Sequence, residues 1–139
     1  MSLTMHQWRS AQLRCFVPPG KQLFVEIIFH TPSAEDEVRI NDHPHAHQMS
    51  LAAFNSQGEE KAEWRSPPNE GTATQVFYVE PRFREIAKGP KAAWQHFHDE
   101  RVSLLWADEA NAVYGCEEGR DADFNDVRIS LHWRAIEAE

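Results

Sequence analysis

The sequence predicts an all-β protein, an antiparallel β-sandwich of about nine or more short strands, folded as one domain over 1–139. Three observations carry this. Short runs rich in β-branched and aromatic residues recur at roughly eight-to-twelve-residue spacing between Pro, Gly and Asn/Asp clusters. Val127, Ile129, Leu131 and Trp133 alternate with Arg128, Ser130 and His132, the period of two that marks a half-buried antiparallel strand. A chain of 139 residues with 41% hydrophobic side chains can also bury a core without staples.

Taken in order, Leu13 to Val17 is the first predicted strand and stops at Pro18-Pro19-Gly20. Leu23 to Phe29 is the second. Thr31-Pro32-Ser33-Ala34 turns the chain into Glu37 to Asn41, which alternates again, and Asp42 to His47 is a polar loop. Gln48 to Phe54 reads as a strand, Asn55-Ser56-Gln57-Gly58 as a hairpin turn, and Glu60 to Trp64 as its return. Ser66 to Gly71 has the longest run of breakers and is expected to be a mobile loop. Thr74 to Glu80 is again a strand. Pro90 to Ala110 is ambiguous, because Trp94, Phe97, Val102, Leu104, Leu105 and Trp106 fit a helix or two strands, and the Ala-rich flanks lean toward helix. Trp64, Trp94, Trp106 and Trp133 are expected in or near the core, unless one stands exposed to stack on a sugar ring.

Composition excludes several functions. The net charge is −8 with no basic cluster, so neither nucleic acid nor an anionic membrane surface is an expected partner. No run approaches the roughly eighteen apolar residues of a spanning helix, so membrane insertion is not expected. Met1 to Arg14 has no apolar core of a secretory signal, which points to a cytoplasmic protein or one released by a non-classical route. Cys15 and Cys116 permit one disulfide at most, and free thiols are expected. Acidic neighbours would blunt Cys116 as a nucleophile. There is no Ser/His/Asp order, phosphate loop or Cys-x-x-Cys pair, so no enzyme is expected. His43, His45 and His47 could meet Zn²⁺ or Ni²⁺ on a strand face, with His96 or His98. Pro44 breaks such a strand, which favours hydrogen-bonding histidines in a loop.

The densest chemistry lies at 115–126. From Glu117 to Asp126 the chain carries five carboxylates, the Asn125 amide and one compensating Arg120. So many like charges beside a strand repel one another unless they protonate or a cation neutralises them. Carboxylate and amide oxygens select a hard ion, and Ca²⁺ accepts roughly six to eight of them in tolerant geometry. Glu117, Asp121, Asp123, Asn125 and Asp126 are the expected metal ligands, enough for one ion or two sharing carboxylates. Asp121-x-Asp123-x-Asn125 looks like the start of an EF-hand, but Asp126 stands where that loop needs Gly and His132 where it needs Glu. A strand follows instead of a helix.

Asn111 to Asp126, with the strand through Trp133, resembles the C-terminal signature of the calcium-dependent fucose/mannose-binding bacterial lectins, the fucose-binding lectin II family. That signature reads Gly-Ser-Glu-Asp-Gly-x-Asp-x-Asp-Tyr-Asn-Asp and then an alternating strand ending in Trp. The resemblance implies that Val102 to Trp106 is a penultimate core strand, so Pro90 to Ala110 is expected as two strands. It also implies a lectin whose Ca²⁺ coordinates sugar hydroxyls, with Glu118, Asp123, Asp126 and Ser33 against the sugar and a homodimer as the assembly. Two departures stand out. Thr31, Pro32 and Ser33 occupy the turn where the family has an Asn ligand and two Ser. Ile136, followed by Glu137-Ala138-Glu139, holds the place of the family's terminal Gly, whose carboxylate reaches the partner's calcium. The alternative expectation is a calcium-stabilised β-sandwich that has lost sugar binding.

Overall fold

The computed structural model describes residues 5–9, 11–30, 34–43, 51–56, 59–85, 94–117 and 127–136. Its strands are β1 (His6–Arg9), β2 (Gln12–Val17), β3 (Lys21–His30), β4 (Ala34–Asn41), β5 (Ala52–Ser56), β6 (Glu59–Arg65), β7 (Gln75–Glu85), β8 (Gln95–His96), β9 (Val102–Ala107), β10 (Asn111–Cys116) and β11 (Val127–Ala135). A single 3₁₀ turn, Asp99–Arg101, precedes β9 among the described residues. One sheet runs β1-β2-β7-β4-β5 with β8 added on β7; the other runs β6-β3-β11-β10-β9. All pairings are antiparallel.

The core lies between the sheets and is filled by alternate residues. Leu23, Val25, Ile27 and Phe29 of β3 and Val127, Ile129, Leu131 and Trp133 of β11 point inward from one sheet. Leu13, Cys15 and Val17 of β2, Val38 and Ile40 of β4, and Phe77 and Val79 of β7 meet them from the other. Period-two patterning therefore sets both register and burial. The indole Nε1 of Trp133 donates to the Phe16 carbonyl at 2.9 Å, which ties β11 to β2 across the sandwich. Both cysteines are free and buried, as expected.

Local chemistry explains the strand ends. Gly20 has φ +84°, and Lys21 N–H donates to the Pro18 carbonyl at 3.2 Å. Pro19 then Gly20 is the residue pair a type II turn requires. Pro81 lies within β7 but falls between the β2 pairing, which ends at Val79, and the β8 pairing, which begins at Arg82. A residue without an N–H is tolerated where that side of the strand has no ladder. On the outer face, Arg82 meets Glu37 and Arg84 meets Glu35 across β7 and β4 at 2.6 and 2.8 Å. Both guanidinium groups lie over the Trp94 ring, at 4.6 and 4.7 Å, so Trp94 packs on charge outside the core.

Several expectations are corrected. β5 and β6 do not form a hairpin: β5 pairs with β4 in one sheet and β6 with β3 in the other. The Asn/Gly signature separates the two strands without making them pairing partners, and Ala62 and Trp64 face the core opposite Ile27 and Val25. Ser66 to Gly71 is not a mobile loop. Asn69 is 1% exposed and bonds through both backbone and side chain to the β2–β3 turn. Trp106 is 54% exposed, because β9 is the edge of its sheet. The two strands expected between Pro90 and Ala110, by contrast, are present within its described part, 94–110, as β8 and β9.

β1 was not evident in the sequence. Its His6 Nδ1 lies 2.6 Å from the Tyr114 hydroxyl, and its ring packs 6.0 Å from that of Trp133. Burial pushes the imidazole below its ordinary value of 6.5 and the Tyr114 phenol up to about 12. Because the unfolded chain takes up the His6 proton more readily, stability is complete above pH 6.5. It falls as the pH drops toward the lowered folded value. A His6→Phe variant is expected to show a flatter melting temperature between pH 7 and about 5 than the parent; identical slopes would exclude His6 as a source.

Candidate functional site

The acidic segment is framed by a hairpin. β10 and β11 end their ladder at Cys116 opposite Val127, so 117–126 joins two neighbouring antiparallel strands. At its first foot, Cys116 also pairs with Val102 of β9, and the Glu117 N–H donates to the Arg101 carbonyl at 2.9 Å. At its second foot, Val127 pairs with Phe29 of β3. One residue later β3 ends at His30, which faces Glu59 of β6. The register therefore brings the segment leading into 31–33 beside the place where the acidic segment re-enters the sheet. These two stretches are nearly a hundred positions apart in sequence.

Of the expected ligands, Glu117 lies at this first foot and is 4% exposed. A carboxylate there must be neutralised, paired or hydrogen-bonded. Glu118, Asp121, Asp123, Asn125, Asp126 and Ser33 lie outside the described residues. Among the described residues, no group of three or more His, Cys, Asp or Glu could hold a metal. The histidine run gives the same result in its described part. His43 is exposed and stands 3.7 Å from Asp42, while His45 and His47 fall outside. His98 is exposed.

The C-terminal side of β11 points elsewhere. Ala135 pairs with Lys21, and the Ile136 N–H donates to the Gly20 carbonyl at 2.9 Å. At about 3.3 Å per residue, this places residue 136 roughly 25–30 Å from Val127 along the strand.

Sequence reasoning missed one group of side chains. The outer face of the five-stranded sheet has a cleft of about 580 Å³, lined by residues drawn from all five of its strands. Of the tryptophans expected in or near the core, unless one stood exposed to stack on a sugar ring, Trp64 and Trp106 line it.

No protein-family model matches the chain, and no curated protein sequence does. Solved structures are similar in fold. The lectin CV2L of Chromobacterium violaceum, in complex with alpha-methyl-fucoside, is 18% identical over 91% of this chain and 98% of its own, with a TM-score of 0.46. The high-affinity mannose-binding lectin of Ralstonia solanacearum is 13% identical over 91% of this chain and 98% of its own, with a TM-score of 0.48. The C-terminal domain of the BC2L-C lectin from Burkholderia cenocepacia is 16% identical over 94% of this chain and 98% of its own, with a TM-score of 0.50. The two-sheet arrangement described above is thus similar, across nearly the whole of both chains, to the fold of that lectin domain.

Proposed function

We propose that this protein is a carbohydrate-binding lectin with no catalytic step, whose ligand is engaged through Ca²⁺ at the acidic segment. The observation that carries the reading is the Val127–Phe29 pairing. It joins the foot of the segment bearing Asp121, Asp123, Asn125 and Asp126 to the strand that leads into Ser33. The fold likeness to a lectin domain supports the same reading. Glu117, Asp121, Asp123, Asn125 and Asp126 are the proposed ligands of one or two ions, and their all-oxygen donor set suits a hard cation. Bound Ca²⁺ would supply open coordination positions for a pair of sugar hydroxyls. Glu118, Asp123, Asp126 and Ser33 would accept or donate hydrogen bonds to the sugar, and the assembly is proposed as a homodimer.

A second reading is a calcium-stabilised β-sandwich without a sugar site. Thr31 and Pro32 favour it, because neither supplies the amide oxygen of the resembled family's turn. A glycan array run with Ca²⁺ and with EDTA, on the parent and on Asp123→Ala, separates the two. The lectin reading predicts glycan signals that EDTA abolishes, calcium restores and Asp123→Ala loses. Calcium raising the melting temperature while every glycan stays silent would support the second reading. Equal calcium-dependent binding by parent and variant would remove the metal ligand from the mechanism.

A further inference from the structure

We infer that the outer face of the five-stranded sheet is a second binding site, one for a neutral saccharide, that works without a metal. The inference is independent of the calcium reading and rests on the cleft alone. Cross-strand register sets Glu63, Glu26, Ser130, Val113 and Trp106 in one row from β6 to β9. The next row holds Phe24, His132 and Asn111. Ser130 and Val113 are short, so the middle of the face is low, while Trp106 stands 54% exposed at one side. The resulting cleft of about 580 Å³ falls within the roughly 300–1,000 Å³ of small-molecule sites.

Its polar groups are fixed in advance. The Asp108 carboxylate accepts from the Ala110 N–H at 2.8 Å and from the Asn111 Nδ2 at 3.0 Å. Since a carboxylate can only accept, this orients the amide and turns Asn111 Oδ1 toward His132 Nδ1. That ring nitrogen therefore donates to the Asn111 amide oxygen. On the opposite flank, Lys61 bridges Glu26 and Glu63 at 3.2 and 3.4 Å. Arg134 lies over the Phe24 ring at 4.5 Å.

These features choose the ligand class. The lining carboxylates, Glu26 and Glu63, are matched by the guanidinium groups of Arg65 and Arg134, and the flanking Lys61 and Asp108 offset each other, so the cleft has no net sign to attract an anion or a cation. A wholly apolar ligand would strip water from those groups without replacing their hydrogen bonds. A partner strand would pair with the open edge of β9 instead of its face. A pyranose ring meets both demands. Its C–H face packs on an exposed aromatic ring, and its hydroxyls both donate and accept against planar side chains held in place.

The test is calorimetric titration in excess EDTA with cellohexaose, xylohexaose, mannohexaose and chitohexaose as probes. Saturable binding of at least one hexasaccharide is expected, weakened about tenfold or more by Trp106→Ala, less by Trp106→Phe, and weakened also by Asn111→Ala. Trp106 is exposed, so its alanine variant should melt close to the parent. No binding by any of the four probes in EDTA would overturn the proposal. So would binding that Trp106→Ala leaves unchanged, or gel filtration showing that Trp106→Ala splits an oligomer sealed over this face. Because EDTA silences the acidic segment, failure here leaves the calcium reading standing, and failure there leaves this one.

Discussion

Trp133→Ala is expected to destabilise the protein by about 4 kcal/mol, the middle of the range for deleting a large buried aromatic. The residue is 3% exposed and sits on β11 between the sheets. Its loss leaves a cavity, and the Phe16 carbonyl loses the indole N–H that reaches it at 2.9 Å. The His6 ring also loses its neighbour, which loosens the packing of β1. Trp133→Phe keeps most of the buried area and removes the hydrogen bond, so about 1–2 kcal/mol is expected. Urea unfolding of the three proteins checks both values. Equal losses for the two variants would mean that the bond, and not the packed volume, holds the sheets together here.

Asn69→Asp is expected to cost a comparable amount, about 3–5 kcal/mol, although it changes one heavy atom. Asn69 Nδ2 donates to the Val17 carbonyl at 2.9 Å and the Ala73 carbonyl at 2.8 Å, and its Oδ1 accepts from the Gly71 N–H at 3.1 Å. Its backbone adds two bonds to the β2–β3 turn, with Gly20 and Lys21. A carboxylate cannot donate, so two carbonyl oxygens would face a buried negative charge. Asn69→Ala merely orphans the three groups and is expected to cost about 2–3 kcal/mol. The ranking is the informative measurement. If alanine destabilises more than aspartate, the amide does not donate to those carbonyls.

How far the sequence spoke depended on where each element's partners lie. β3 and β11 were legible because their alternation is local and each buries one face. The start of β4 was not: the alternation marks a strand from Glu37, whereas it begins at Ala34. Glu35 is held in it by Arg84, and Glu37 by Arg82, on a strand more than forty residues later. β1 was silent for the same reason, since His6 finds its partner at Tyr114. Breakers such as Pro67, Pro68 and Gly71 correctly marked a non-strand segment. Its order comes from Asn69, and nothing in the local sequence distinguishes a pinning amide from a solvated one. At the acidic segment the chemistry of the donors was plain, whereas the meeting of Val127 with Phe29 at its second foot needed the β3–β11 register. The cleft was invisible because each strand contributes only one or a few side chains to it.

The central pairing of the five-stranded sheet has a kinetic consequence. β3 is stitched to β11 from Lys21 opposite Ala135 to Phe29 opposite Val127, so the five-stranded sheet that covers the core from one side stays incomplete until the far end of β11 is available. On the ribosome, the early strands must wait with their apolar rows uncovered until residue 135 has emerged from the tunnel. Such long-range closure belongs to the slow regime of all-β proteins, milliseconds to seconds. During that interval, the side of β3 that β11 later covers is open to mispairing with another chain.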